Sequence, residues 1–377
     1  MKILMISTDK KILEENSEVR QRMIEYGSLA EELHIIILNQ KSKIKNQNFG
    51  NVFLYPTNSG SRWFYVRDAI KIGEEIIENW KLKIENSLVT AQDPFECGLV
   101  GYRIANKLKL PLQLQIHTDF LSPYFVQHSM LNRLRVRIAK FLIPRAACIR
   151  VVSERIKKSI LGRLNLHGEV QPPIIVLPVF VDAKKIQEAP TRIDLHQKYP
   201  QFNFIILMAS RLTKEKNIGL AMKAVKDLVK KYPKIGLVIV GDGPEEKKLK
   251  AQSLKLKANV IFEPWTDDLI SYYKTCDVFL LTSNYEGYGR TVVEALASGS
   301  LVIMTDVGVA GDIAKDGYNS LIVPVGDKIG MERAIEKMIN DKALHAKLSL
   351  SSENLIYKML SKREYLEQLK KSWEAYL

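Results

Sequence analysis

Apolar and polar positions form two alternating kinds of segment along this chain of 377 residues. Short and nearly continuous apolar runs, such as KILMIST (2–8), HIIIL (34–38) and FNFIILMAS (202–210), predict strands that are buried on both faces. Longer segments between them carry apolar residues at helical spacing. This order of strand, helix and strand predicts an α/β protein with a parallel, doubly wound sheet.

The other elements follow from the same pattern. Further strands are predicted for residues 87–95, where the strand runs into a loop, and for 111–119, 147–153, 174–182, 235–241, 259–263 and 278–283. Helices are predicted for residues 19–33, 67–84, 98–108, 217–232, 245–255, 267–276 and 361–377. The pattern breaks near residues 180–200, which contain several prolines. We therefore predict two Rossmann-like domains, formed by residues 1–182 and 183–360.

The segment EGYGRTVVE (286–294) lies between a predicted strand and a predicted helix. Ligands bind at the carboxyl ends of strands in open α/β sheets, so Glu286 is placed where a carboxylate can accept hydrogen bonds from sugar hydroxyls. Gly287 and Gly289 let backbone N–H groups approach a ligand without obstruction by side chains. The start of the next helix, where we place Glu294 in the first turn, suits a phosphate.

Glu294 has a second interpretation, as the partner of Thr291 in a capping box. That interpretation does not account for Glu286 in its glycine-flanked loop. Two glutamates separated by seven residues, between a strand and a helix, resemble the Glu-x7-Glu signature of retaining GT-B glycosyltransferases, family 4 in particular. The resemblance implies two Rossmann-like domains that face a cleft, with the helix of residues 361–377 returning to the first domain.

Two cations follow the strand that ends near residue 210. Arg211 and Lys216 lie five residues apart in SRLTKEKN, where they can hold a diphosphate and stabilise its departure. Alone, they are better explained as two exposed loop cations, but members of the family carry Arg and Lys at these two places. The next strand ends in GDGP (241–244), a tight turn that the family shares and that is weak evidence by itself.

The resemblance implies a donor site in the second domain. The donor diphosphate would be bound by Arg211 and Lys216, the ribose hydroxyls by Glu294, the donor sugar by Glu286, and the sugar and phosphate by backbone groups of Gly287, Tyr288 and Gly289. His117, in QIHTD, matches a histidine that faces the donor sugar from the first domain; a lone histidine is otherwise more often structural. Asp119 lies two residues further along.

The resemblance is close over most of residues 202–330 and looser over residues 1–180. Many members carry a Gly-Gly loop after the first strand, where this chain has STDKKILEENSEVR (7–20). Arg20 and Arg22 are candidates for anion contacts there. The sequence FEPWTDD (262–268) replaces the glycine that usually precedes the base-binding strand end, and Trp265 either flanks the base or packs.

The reaction implied is transfer of a glycosyl group with retention of the anomeric configuration. Glu286, His117, Arg211 and Lys216 would form the catalytic site, with Glu286 holding sugar hydroxyls rather than attacking the anomeric carbon. We expect no cofactor beyond a UDP- or GDP-linked sugar as substrate. We also expect no metal, because no DxD motif occurs in a suitable place and the three cysteines are scattered.

The net charge of +14 is concentrated in one region. Residues 101–163 contain thirteen Lys or Arg and two acids, Asp119 and Glu154, so this stretch carries 13 − 2 = +11. Such a surface attracts nucleic acid, a membrane or an acidic substrate. No apolar run is long enough to span a membrane, and the N-terminal apolar core is too short for a signal peptide. We expect a cytoplasmic protein.

The segment MLNRLRVRIAKFLIPR (130–145) predicts an amphipathic helix. At helical spacing Leu131, Leu134, Ile138, Phe141 and Leu142 fall on one side, and Arg133, Arg137 and Lys140 fall on the other. Arg135 lies near the apolar edge, where its stem could snorkel. The pattern favours a helix that lies on anionic lipid at the inner face of the cell membrane. The alternative is an ordinary domain helix whose apolar side packs on the sheet.

The combined prediction is a retaining glycosyltransferase that uses a nucleotide-sugar donor and a glycan or lipid-linked acceptor, in cell-surface polysaccharide or glycolipid synthesis. One alternative is another GT-B enzyme, such as a nucleotide-sugar 2-epimerase; a phosphorylase would need a far longer chain. Others are an inactive GT-B interaction module and a basic nucleic-acid-binding protein. No nucleic-acid-binding signature accompanies the charge, so we do not expect nucleic acid as a partner.

Overall fold

The computed structural model describes residues 1–40, 44–80, 86–164, 171–256, 259–356 and 359–377. The chain divides into two compact units. One consists of residues 1–178 together with 362–377, and the other of residues 179–361. Each unit has its own predominantly parallel sheet covered by helices, which confirms the predicted α/β architecture with two Rossmann-like domains.

The sheet of the first unit has eight strands. These are β1 (Lys2–Ser7), β2 (Glu32–Ile37), β3 (Gln47–Phe49), β4 (Val52–Pro56), β5 (Ser87–Ala91), β6 (Leu112–Ile116), β7 (Cys148–Val151) and β8 (Ile174–Val176). They pair in the order β3-β4-β2-β1-β5-β6-β7-β8, and all pairs are parallel except β3 with β4. The helices before the second unit are α1 (Glu18–Gly27), α2 (Tyr65–Trp80), α3 (Glu96–Leu108), α4 (Pro123–His128), α5 (Met130–Leu142) and α6 (Glu154–Arg163).

The sheet of the second unit has six parallel strands. These are β9 (Phe204–Ala209), β10 (Ile235–Val240), β11 (Val260–Glu263), β12 (Val278–Leu281), β13 (Val302–Thr305) and β14 (Leu321–Val323), in the order β11-β10-β9-β12-β13-β14. The helices are α7 (Ala183–Glu188), α8 (Leu195–Lys198), α9 (Ile218–Val229), α10 (Glu246–Leu256), α11 (Leu269–Thr275), α12 (Arg290–Ala297), α13 (Lys328–Asn340) and α14 (Lys342–Ile356). The central strands are apolar on both faces, as buried parallel strands require.

The last helix, α15 (Lys362–Glu374), packs on the first unit, which confirms the predicted return of the chain. Trp373 is buried and meets the ring of Tyr26 edge to face at 6.3 Å. The hydroxyl groups of Tyr26 and Tyr365 are hydrogen-bonded at 2.9 Å. The helix is therefore part of the core of a unit whose other residues lie more than 180 positions earlier.

Several predicted boundaries were wrong. The helix predicted for residues 19–33 ends at Gly27, and β2 already begins at Glu32. The strand predicted for residues 174–182 ends at Val176, because Pro178 has no N–H to continue the ladder. The short strands β3 and β4 were not predicted. The last part of the helix predicted for residues 67–84 lies outside the described residues.

Candidate functional site

Two loops meet at the carboxyl edge of the second sheet. One follows β9 and contains Arg211 and Lys216; the other joins β12 to α12 and contains Glu286. The buried hydroxyl of Thr282 donates to the backbone carbonyl of Lys216 at 2.8 Å, and the N–H of Asn284 donates to the carbonyl of Glu215 at 2.7 Å. Because these bonds join the two loops directly, the side chains they carry are held at fixed positions.

Lys216 and Glu286 form an ion pair in which Nζ lies 2.5 Å from Oε1. The hydroxyl of Ser283 donates to the same oxygen at 2.7 Å. Both side chains of the ion pair are mostly buried. The second carboxylate oxygen, Oε2, has no hydrogen-bond partner in the part of the chain that the structure describes. The site therefore presents one unoccupied acceptor beside a cation that is already oriented.

Glu294 lies in the second turn of α12 rather than the first. Its Oε1 is 2.6 Å from Nε of Arg290, and its Oε2 accepts a hydrogen bond of 3.2 Å from the hydroxyl of Tyr273. Burial, together with the adjacent Glu294 carboxylate, raises the pKa of Tyr273 well above its ordinary value. The capping box with Thr291 does not form, because Gly289 is the N-cap residue of α12.

The segment from Gly287 to Gly289 is buried rather than open. The backbone of Gly289 has φ of 92°, a left-handed conformation that favours glycine at the start of α12. The carbonyl of Tyr288 accepts a hydrogen bond of 2.8 Å from the N–H of Val309. Gly289 thus shapes the turn into the helix that carries Glu294, and Gly287 directly follows Glu286 in the chain.

Arg211 is exposed at the end of β9. Its loop rests on the GDGP turn, in which the carbonyl of Asp242 accepts a hydrogen bond of 2.7 Å from the N–H of Leu212. A Cβ at Gly243 would lie 2.5 Å from the carbonyl oxygen of Leu212, and the φ of this glycine is +154°. The GDGP turn, which is weak evidence in the sequence, therefore has a structural role. Only a glycine at position 243 lets the turn pack this closely against the loop of Arg211.

His117 follows β6 at the carboxyl edge of the first sheet. Its Nε2 lies 3.2 Å from Oε1 of Gln115. The ring keeps contact with solvent, but the surrounding protein and the positive charges of Arg150 and Arg22 lower the pKa of His117 far below its usual range. Asp119 accepts a hydrogen bond of 2.9 Å from the hydroxyl of Ser159.

Arg20 does not face solvent. Its guanidinium carbon lies 4.0 Å from the centre of the Phe49 ring, and a hydrogen bond joins it to Gln47. The side chain is buried and holds α1 against the β3–β4 hairpin. The structure therefore places this residue in packing at the edge of the sheet, and it does not expose it to an acceptor.

The amphipathic pattern of α5 is arranged differently from the prediction. Val136, Ala139 and Leu142 are buried, so Leu142 does not belong to the exposed apolar side. The side chains left in solvent are Leu131 (50% exposed), Leu134 (52%) and Phe141 (45%), next to Arg133, Arg137 and Lys140. Arg135 is not free to snorkel, because it pairs with Glu96 at 2.8 Å. The helix thus packs on the protein through a side centred on Val136 and Ala139, which differs from both predicted sides.

Two features were missed in the sequence. Trp63 is 93% exposed, beside exposed Phe64, between β4 and α2; the signal was the run RWFYVR. The buried partners of His117 were also missed, although Gln113, Gln115 and His117 alternate along one strand.

Among the described residues no cluster of three or more His, Cys, Asp or Glu is arranged to hold a metal ion. Over those residues, no helix has the length and apolar character to cross a membrane.

Comparison with known proteins agrees with this geometry. Residues 193–354 match the family model described as glycosyl transferases group 1. The capsular polysaccharide biosynthesis glycosyltransferase CapM of Staphylococcus aureus is 27% identical over 297 residues, which are 75% of each chain. The alpha-monoglucosyldiacylglycerol synthase of Streptococcus pneumoniae is 30% identical over 61% of this chain, an alignment that spans about half (53%) of that relative. Anabaena HepE, solved with UDP and glucose, has the same fold, with a TM-score of 0.78, 20% identity and full coverage of both chains.

Proposed function

We propose that this chain is a group 1 glycosyltransferase with the GT-B fold, and that it transfers a sugar with retention of configuration and without a metal ion. The donor is a UDP- or GDP-linked sugar, and the acceptor is a glycan or a lipid-linked glycan. The setting is cell-surface polysaccharide or glycolipid synthesis at the cytoplasmic face of the membrane. The observation that carries this proposal is the Lys216–Glu286 pair, with one carboxylate oxygen left open at the carboxyl edge of the second sheet.

Lys216 and Glu286 have separate tasks in this proposal. An ammonium group has three donors, so Lys216 can keep its bond to Glu286 and direct another N–H to the donor diphosphate. Exposed Arg211 adds a second cation on the same loop. Together the two cations neutralise the charge that develops on the departing diphosphate, which is the task a metal ion has in other transferases. The open Oε2 of Glu286 accepts a hydroxyl of the donor sugar.

Glu294 takes the ribose hydroxyls. Its carboxylate is already oriented by Arg290 at 2.6 Å and by Tyr273 at 3.2 Å. A carboxylate has about four acceptor positions, so hydroxyl donors can be added while these partners remain. The side chain is mostly buried, which strengthens any hydrogen bond that it accepts.

A lipid-linked acceptor is supported by α5. The alternative, in which the predicted apolar side packs on the sheet, disagrees with the exposure of Leu131, Leu134 and Phe141. These side chains lie next to Arg133, Arg137 and Lys140, so one helix offers an apolar strip bordered by cations to the solvent. Such a surface fits an anionic lipid bilayer. The names of CapM and of the Streptococcus relative, which refer to a capsular polysaccharide and a glycolipid, are consistent with this setting.

The activity is tested with a panel of UDP- and GDP-sugars and with polyprenyl-diphosphate and diacylglycerol acceptors. We expect one nucleoside diphosphate to raise the melting temperature, and the matching donor to give an acceptor-dependent product with retained anomeric configuration and activity in excess EDTA. Lys216→Ala should weaken binding of that nucleoside diphosphate. An epimerised donor sugar without an acceptor product, or no response to any donor, would overturn the proposal.

The membrane surface is tested by co-sedimentation with vesicles rich in phosphatidylglycerol. We expect binding at low salt that falls when Arg133, Arg137 and Lys140 are changed to Gln. The matched control changes exposed Lys223, Lys226 and Lys247 of the second unit to Gln, which removes the same charge elsewhere. If the two triple variants bind equally, the attraction is a property of the net charge and α5 is not a docking surface.

A further inference from the structure

A row of polar side chains crosses the interior of the first unit and ends at His117. Gln113, Gln115 and His117 alternate along β6 and its end, so their side chains point to the same face of the sheet. The parallel register places Thr90 of β5 beside Gln113 and Arg150 of β7 beside Gln115. Thr90, Gln113, Gln115 and Arg150 are all buried. A parallel sheet normally buries apolar side chains at such positions, so these polar groups need a specific reason.

One end of the row fixes the direction of its hydrogen bonds. The backbone carbonyl of Ser372, in α15, can only accept, and it takes a bond of 2.9 Å from Nε2 of Gln113. The Oε1 of Gln113 therefore points the other way and accepts from the Thr90 hydroxyl at 3.1 Å. Since the one proton of that hydroxyl is used, its oxygen must accept from Nε2 of Gln115, at 2.8 Å.

The other end of the row gives the same direction independently. The guanidinium of Arg150 can only donate, and its Nη1 lies 3.1 Å from Oε1 of Gln115. Its Nη2 donates to the hydroxyl of Tyr365 at 3.1 Å. No carboxylate pairs with Arg150 among the described residues. The amide of Gln115 therefore has one orientation, with its oxygen toward Arg150 and toward Nε2 of His117, 3.2 Å away.

We infer that Gln115 and Arg150 are positioning residues that hold His117 in the neutral form with its proton on Nε2. Because Oε1 of Gln115 has no proton to give, the ring nitrogen that faces it must donate. The other nitrogen, Nδ1, then keeps its lone pair and is the acceptor that His117 offers at the strand edge. The inference rests on the proposed function for its consequence, which is that glycosyl transfer depends on this acceptor nitrogen.

The surroundings of the ring favour the neutral form. The charged groups that act on it are the guanidinium groups of Arg150 and Arg22, and both oppose a further positive charge. Since Ser372 of α15 fixes the amide of Gln113, which orients Gln115 through the hydroxyl of Thr90, the last helix of the chain takes part in orienting His117 at the other end of the row. The return of α15 to the first unit therefore affects the orientation of His117 as well as the stability of the unit.

The tautomer of His117 is measured by nitrogen NMR of the free protein labelled at histidine, with the signal assigned by its loss in His117→Gln. We expect the proton on Nε2 at neutral pH. Gln115→Glu keeps an acceptor and should retain this tautomer while the ring titrates at a higher pH. Gln115→Met removes the acceptor and should populate both tautomers. Gln92→Met, which removes a side-chain amide at the end of β5, should leave the ring of His117 unchanged.

The same variants are compared in glycosyl transfer. Gln115→Met should lower kcat about tenfold, the size expected for loss of one oriented hydrogen bond, with a smaller change in KM. Gln115→Glu should recover most of this loss at pH values above the pKa of the ring, where Nδ1 keeps its lone pair. A wild-type ring with its proton on Nδ1, or a tautomer that Gln115→Met leaves unchanged, would overturn the inference. A protein that shows the expected tautomer but uses no donor would instead refute the proposed function, so the two failures are distinct.

Discussion

The two sheets of this protein bury different kinds of side chain. The central strands of the second unit, β9, β10, β12 and β13, are apolar on both faces, and helices such as α9 and α13 cover them with further apolar residues. In the first unit β5, β6 and β7 bury Thr90, Gln113, Gln115 and Arg150 on the face that meets α15. The sheet of the second unit is therefore apolar on both faces, whereas the sheet of the first unit has one polar face.

The difference shows how each unit places its polar groups. The second unit uses its sheet as a rigid support and places polar chemistry in loops beyond the strand ends. The first unit extends a hydrogen-bond network from its core to the strand edge, where His117 lies. Buried polar networks cost free energy unless every member is satisfied, so their presence points to a positional task.

The largest expected effect comes from introducing a glutamine, the kind of side chain that the first sheet buries, into the second sheet. Leu237 is fully buried on β10, between Ile206 and Val260 in register. Leu237→Gln should destabilise the second unit by about 4 kcal/mol, because apolar contacts are lost and an amide is buried without a partner. Calorimetric unfolding measures this. The volume-conserving Leu237→Met should cost about 1 kcal/mol or less, and equal losses for both variants would show that polarity is not what this sheet excludes.

The next effect concerns the loop chemistry of the second unit. Glu286→Gln should lower kcat about 100-fold, because an amide cannot replace the carboxylate that orients Lys216 and the sugar hydroxyl. Binding of free nucleoside diphosphate, measured by calorimetry, should change far less. Glu245→Gln, at the neighbouring strand end, is the matched control and should keep its activity. Parallel losses of turnover and nucleotide binding would place Glu286 at the nucleotide instead.

The same difference explains what could be predicted from the sequence. The roles of Arg211, Lys216, Glu286 and Glu294 came from the resemblance to the family and stay predictions. The positions of Arg211, Lys216 and Glu286 beyond strand ends could be predicted, because each lies in a short contiguous segment. Their contacts could not, since the pairing of Glu294 with Arg290 instead of Thr291 depends on where α12 begins.

The network of the first unit was beyond such reasoning. Arg150 meets Gln115 across 35 positions and Tyr365 across 215, and no local pattern predicts those pairs. For the same reason Arg20 was expected to contact anions, while the structure buries it against Phe49. The exposed side of α5 also depends on which residues pack, and periodicity alone does not tell that.

A smaller effect is expected from replacing a buried amide of the first sheet with an apolar side chain. Gln113→Leu keeps the volume but removes the donor to the Ser372 carbonyl and the acceptor of the Thr90 hydroxyl proton. It should destabilise the first unit by about 1 to 3 kcal/mol. Adding Thr90→Val removes the hydroxyl but also the acceptor of the Gln115 amide, so the double variant should lose less stability than the sum of the two single variants, which share the Thr90–Gln113 bond. A double variant less stable than the sum of the single ones would argue that the network contributes by other contacts.

The smallest effect tests a polar cluster of the second unit, at the end of β11. Glu263 accepts hydrogen bonds from Lys198 at 2.6 Å, from Tyr272 at 2.6 Å and from the hydroxyl of Tyr199. Burial alone would raise the pKa of Glu263, but these three donors outweigh it and hold the pKa below its ordinary value of 4.5.

A carboxylate whose pKa is lowered by folding adds stability above its unfolded pKa, and this stability is lost as pH falls through the folded value. Glu263→Gln should therefore cost about 1 kcal/mol near pH 7, and its melting temperature should approach that of the wild type below pH 4.5. Melting curves between pH 3 and pH 7 measure the convergence. A difference that stays constant across this range would mean that the amide loses packing or hydrogen-bond geometry and that charge has no part in holding α8 and α11 at the end of β11.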